Sequence, residues 1–451
     1  MKKLGSVLAL CVLATACSRF ENNGFIPFIR KESEAAKLIK EDPNRVSVLT
    51  FDKKLSVDAG LVDQEIVLPP ERAVTSWGMA GGNPSRAIGH AAASGPLNVL
   101  WRRKVADGSG QHDRLTAQPV VDDGRIFVFD ANQNVRAFDL RSGKSLWNKH
   151  MSIANKAKDG FAFGGGVAAE GGRVYVASGF GVVAAYDAAT GQEIWRKVTG
   201  SPMISAPAVS MGRVFAVSDD NEIFAMDTLS GDVLWTYEGI ADAARIAASP
   251  APAIAGDTVI ATFGSGEIVA LRAENGRNLW SDALTRASRT NALSSINDIA
   301  GGAAVDRGMV MASSHSGVTA GIDLRTGDRV WSAPAASIQT PWMAGDVMFM
   351  VTLDEQLAAM DRQSGKVYWI TQLPQFDNAD KKKGRLSWAG PVLMGGKLMV
   401  VSTEGFARVF DAKTGQPVKA IKLGAPAYIS PIVVDETALI LTDDGALVAI
   451  R

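Results

Sequence analysis

QPVVDDGRIFVFDANQNVRAFDLRSGKSLW, residues 118–147, reads as one four-stranded unit. Arg125-Ile126-Phe127-Val128-Phe129 suits a strand, and Asp122-Asp123-Gly124 before it suits a tight turn. The Asp139…Gly143 element then turns the chain into a last strand that ends at Trp147. Its Asp can accept hydrogen bonds from turn amides, and its Gly can take the left-handed conformation that side chains resist. The same pattern returns at 166–195, GVAAEGGRVYVASGFGVVAAYDAATGQEIW, and at 206–235, APAVSMGRVFAVSDDNEIFAMDTLSGDVLW. Later copies end at Trp280, Trp331, Trp369 and, without the aromatic ring, Lys419. The turn glycines stand at 143, 191, 231, 276, 327, 365 and 415, spaced 48, 40, 45, 51, 38 and 50 residues apart. A period of about 45 residues with four short strands is that of a propeller blade.

The ends of the repeat complement each other. After Gly415, SPIVVDETALILTDDGALVAIR (430–451) supplies three strands and stops where the next motif Asp would stand. Upstream, GPLNVLWRRKV (95–105) is an isolated outer strand with its own Trp101. Seven complete units plus this composite predict an all-β, eight-bladed β-propeller of four-stranded antiparallel blades, closed by joining N- and C-terminal strands. Such a join removes an exposed sheet edge. Trp101, Trp147, Trp195, Trp235, Trp280, Trp331 and Trp369 are the expected wedges between blades, where burying a large ring contributes most.

Composition agrees: 45 of 451 residues are Gly, and 47% are hydrophobic. Lys plus Arg equal Asp plus Glu at 47 each, so no basic field exists to gather nucleic acid. The first residues carry the compartment. Lys2 and Lys3 precede an apolar run, Leu4 to Leu13, too short to span a bilayer and read as a secretory signal. It ends in Leu13-Ala14-Thr15-Ala16-Cys17, which resembles a bacterial lipobox, so Cys17 is the expected lipidation site. Ser18 after it is similar to lipoproteins retained in the outer membrane. The expected organisation is a signal peptide at 1–16, a lipidated tether at 17–96 and the propeller at 97–451. Within the tether, KESEAAKLIKE (31–41) could form a helix, and RVSVLTF (45–51) and QEIVLPP (64–70) isolated strands.

Little chemistry is visible. The only other cysteine, Cys11, lies in the signal, which leaves no disulfide and no Cys nucleophile. Asp139, Asp187, Asp227, Asp323, Asp361 and Asp411 sit one per blade at outer turns and cannot converge on a substrate. Asp219-Asp220-Asn221 and Asp443-Asp444-Gly445 lack spaced calcium ligands. His90, His112, His150 and His315 show no metal-type spacing. No enzyme, metal or cofactor is called for.

The repeat, the lipobox, the cysteine-free body and the segment Ala106-Asp107-Gly108-Ser109-Gly110 after Trp101 together resemble the BamB family. Its members are accessory lipoproteins of the outer-membrane β-barrel assembly (BAM) complex. The resemblance implies a lipid anchor on the periplasmic face of the outer membrane, BamA as partner and nascent outer-membrane proteins as a second partner class. It also implies contacts from an Arg-bearing crossover and an Asp-bearing one, which match Arg245 and Asp298 here. Ala243, Ala244 and Ala300 depart from the family pattern around them. Two alternatives stay open. Eight-bladed dehydrogenases that hold pyrroloquinoline quinone share the repeat, although their adjacent cysteines and calcium-ligand set have no counterpart in this sequence. A propeller that binds glycan or another periplasmic partner is the other.

Overall fold

Each blade is a sheet packed between two others, so both faces of its inner strands are covered. This is why the strands read as continuous apolar runs and not as alternation. In blade 1 every residue of the strands Val120–Asp122, Arg125–Phe129 and Asn134–Asp139 is buried or half-buried, whereas Ser145–His150 at the rim buries only Trp147. A computed structural model describes residues 54–111, 113–152, 163–240, 250–285 and 298–451. The helix expected at 31–41 and the strand at 45–51 lie outside the described residues.

Eight four-stranded sheets are present. The first seven fall at 120–150, 165–198, 208–238, 253–283, 304–333, 342–372 and 388–422, each with its strands in chain order. The eighth joins Val99–Lys104 to Ala446–Ile450, Thr437–Leu441 and Ile432–Val434. The protein is an eight-bladed β-propeller closed by one N-terminal and three C-terminal strands. Trp101 pairs with Ala449 across the seam. Around it, Arg102 pairs with the Asp444 carboxylate, Ser109 bonds Asp443, and the Val105 and Ala106 amides share the Gly445 carbonyl.

The repeated residues act across the blade boundary. Trp147 Nε1 donates to the Ala188 carbonyl at 3.0 Å, Trp195 to Thr228 at 3.0 Å and Trp280 to Leu324 at 2.8 Å. Each acceptor is the residue after the motif Asp of the next blade. Trp331 and Trp369 bond Arg362 and Ala412 in the same way, and Trp235 bonds Ala273, where Arg272 stands in place of the motif Asp. On its own blade each ring lies opposite a small residue: Ala137, Ala185, Ala225, Ala270, Gly321 or Ala359. Where Lys419 replaces Trp, Val409 fills that place. Gly191 needs its glycine twice over. Its φ is +69°, and an added Cβ would lie 2.6 Å from the Trp147 ring. Gly143, beyond the seam, is covered by Arg103 instead.

The motif aspartates cap their own turns. Asp227 accepts from the Leu229 and Ser230 amides at 2.8 and 2.9 Å, and Asp139 from the amide and hydroxyl of Ser142. These bonds hold the carboxyl groups of Asp139, Asp187, Asp227 and Asp323 below the usual range. The hydroxyls of Ser142 and Thr190 act most strongly for the first two, and the amides of Ser230 and Thr326 for the others. Carboxyl groups lowered in the folded state stabilise it above their unfolded values and lose that stabilisation as pH falls through the folded ones. Thermal unfolding followed against pH should therefore weaken below about pH 4, the ordinary Asp range, and Asp227→Asn should shallow that acid limb.

The stretch expected to be a tether takes a different form from residue 54 onward. QEIVLPP forms no strand; instead residues 55–96 run across one face of the ring as a strap. Trp77 and Val121 of blade 1 exchange two main-chain bonds of 2.7 and 2.9 Å. The strap carbonyls of Gly78, Pro84, Ser85 and Val74 accept from Ala169, Ile254, Val305 and Asp435, in blades 2, 4, 5 and 8. Ala91 pairs with Leu393 and Gly395 of blade 7, the Trp342 indole of blade 6 donates to the Gly89 carbonyl, and Met79 packs in the core shared with blade 3. Ile66, Trp77, Met79 and Ile88 are buried. These apolar side chains, which a solvated tether would not carry inward, are the physical reason for the difference.

Candidate functional site

The strap meets the C-terminal ends of the inner strands, on the face that carries the first-to-second turns. Crossovers between blades enter at the opposite ends. Among the described residues, the axis of the ring is therefore a funnel floored by Trp77 and Arg86 of the strap, with its wall toward the crossover face. All eight blades contribute to its wall, seven of them through residues just before or at the start of their inner strands, such as Gln118, Ala251 and Trp342, and blade 7 through Pro391 within Trp388–Met394. Trp77 stacks on Trp342 with centroids 6.2 Å apart and planes 18° from parallel. Gln118 ties floor to wall: its Oε1 accepts from the Gly81 amide at 2.9 Å and its Nε2 donates to the Ser430 carbonyl at 3.0 Å.

Arg86 extends up the axis from the floor. Nη1 donates to the Ala251 carbonyl at 2.6 Å, and Nη2 to Thr340 Oγ1 at 2.6 Å and the Gly301 carbonyl at 3.4 Å. Burial pushes its pKa down to about 10. Sequence reasoning missed this residue because it sat in a segment read as tether.

The expected partner residues are placed unequally. Arg245 lies outside the described residues, as do 153–162 and 286–297, so of the four long crossovers, at 148–165, 236–249, 281–301 and 370–390, the first three are described only in part. Asp298 is 2% exposed, and its carbonyl accepts from the His315 amide at 2.9 Å. A residue so placed is held in the crossover's interior and does not present a free carboxylate to a partner. The fourth long crossover carries a hairpin, Phe376–Asn378 with Lys383–Arg385, whose Arg385 bonds Glu355 at 2.8 Å. His90 is buried between strap and blade 7, with Nδ1 on the Pro69 carbonyl and Nε2 accepting from the Gly396 amide. Asp443 and Asp444 serve the seam. Among the described residues no group of three or more His, Cys, Asp or Glu could hold a metal ion.

A family model described as outer membrane protein assembly factor BamB matches residues 80–158 and 131–371, together well over half of the chain. The chain belongs to the BamB family. The match begins at Ala80, inside the strap. BamB of Moranella endobia is 24% identical over 355 residues, 78% of this chain and 89% of that protein. BamB of Yersinia pestis is 25% identical over 354 residues, 78% and 88%. Among solved structures, BamB from Moraxella catarrhalis superposes with a TM-score of 0.67 at 19% identity, over 79% of this chain and 100% of that one. The quinohemoprotein alcohol dehydrogenase of Comamonas testosteroni superposes at 0.65 with 15% identity, over 84% and 81%. That likeness is one of fold.

Proposed function

We propose that this chain is a non-enzymatic accessory lipoprotein of the complex that folds and inserts β-barrel proteins into the bacterial outer membrane. The observation that carries it is the BamB family match across residues 80–371, laid on a closed eight-bladed ring. The secretory signal and lipobox ending at Cys17 support a position on the periplasmic face, held by lipid. Two or more acyl chains give stable attachment where one gives only marginal binding. The crossover face is the docking face for the periplasmic domains of BamA. Its loops are long and stand on a rigid scaffold, where binding residues concentrate, and Arg245 lies in the sequence of one of these crossovers. Charge-assisted bonds from an arginine are about twice as strong as neutral ones.

Loss of the gene should lower the amount of assembled barrel proteins in the host's outer membrane, and the wild-type chain should restore it. Unchanged barrel-protein levels in the deletion strain would contradict the assignment. Anchorage has its own test. The Cys17→Ala protein should move to the soluble periplasmic fraction; equal recovery in the membrane pellet would show that something other than lipid holds it.

A further inference from the structure

The axial funnel ends on a guanidinium that no carboxylate neutralises among the described residues. The cavity is about 330 Å³, at the lower end of the roughly 300–1,000 Å³ that small-molecule sites occupy. Its apolar floor is the stacked Trp77–Trp342 pair, and its polar groups converge from Arg86, Thr340 and Gln339. Three acceptors hold Arg86, but all are uncharged, and its Nε is shielded from solvent with no acceptor among the described residues. A desolvated cation without a counter-charge is costly, and Nη1, with one acceptor for its two N–H groups among the described residues, has a donor left for a charge-assisted bond to a carboxylate. Were Arg86 only a staple between strap and blades, the same carbonyls could be bridged without burying a formal charge.

We propose that the axial funnel is a binding site for a carboxylate group, received at Arg86 through the crossover face. The group belongs to a small organic acid or to the terminus of a peptide; the chemistry at Arg86 is the same. This site is independent of the reading that places the chain on BamA.

Isothermal titration of the mature protein with succinate, and with acetyl-Gly-Gly-Phe as free acid and as amide, tests it. At least one acid should bind and weaken with added salt, and a peptide acid that binds should do so about tenfold more tightly than its amide, since the charge-assisted bond is lost in the amide. Arg86→Gln should abolish binding. Because Arg86 also ties strap to blades, Thr116→Trp provides a second arm: Thr116 is exposed on the funnel wall, so the larger ring blocks the cavity without entering the core. Binding of succinate would identify free acids as the source; binding of the peptide acid alone would identify a chain terminus. Equal binding of acid and amide, unchanged binding by Thr116→Trp, or no heat with either acid would overturn the proposal.

Discussion

A chain that ends at Asp443 does not form a stable ring. It lacks Ala446–Ile450, whose five residues are all buried and which is the strand that Val99–Lys104 pairs with. Leu447, Val448 and Ile450 are each no more than 1% exposed. At roughly 1.5–3 kcal/mol for each fully buried aliphatic side chain, their loss alone approaches the about 5–15 kcal/mol that stabilises a typical domain. Two more losses add to it. Arg102 and Lys104 lose their partners on Asp444, and Val99–Lys104 and Thr437–Leu441 are each left with an unpaired edge. The expected outcome is insoluble protein, or a melting transition lowered by tens of degrees or absent. An unchanged transition in the truncated protein would contradict closure at this seam.

Trp77→Ala should destabilise the propeller by about 3–5 kcal/mol, the usual loss for a buried Trp. The ring is 1% exposed, stacks on Trp342 and donates to Gln118 Oε1 at 3.3 Å. A tether residue would behave as a surface position, where most substitutions change stability by less than about 0.5 kcal/mol. Denaturant unfolding of the single variant therefore separates strap from tether. A midpoint within error of wild type would return residues 55–96 to the role of spacer.

The two results fall on opposite sides of what the residues reveal by themselves. The blades were legible because each repeats a chemical necessity: an Asp to cap a turn, a Gly under an indole, and an indole against the next blade. The split eighth blade was legible because Trp101 and the last three strands are the missing parts of one repeat. The strap was not, since its bonds to Val121, Ala169, Ile254 and Val305 use main-chain groups that leave no side-chain pattern. One signal was present. Trp77, Trp342 and Trp388 are the three tryptophans off the repeated position, and the first two stack on each other. Asp298 shows a different gap: a residue matched by spacing within a crossover carries no mark of whether its side chain faces in or out. Its 2% exposure makes Asp298→Lys a folding variant, so the interface is better probed at Arg245 alone.

Quantitative co-purification tests the functional account most directly. The tagged chain, extracted with its lipid anchor from host membranes in mild detergent, should bring down BamA and the rest of the barrel-assembly complex. Arg245→Glu should reduce that recovery severalfold while its thermal unfolding matches wild type. Recovery of the folded wild-type propeller free of BamA, or with cell-wall glycan or an unrelated periplasmic protein in its place, would contradict the account.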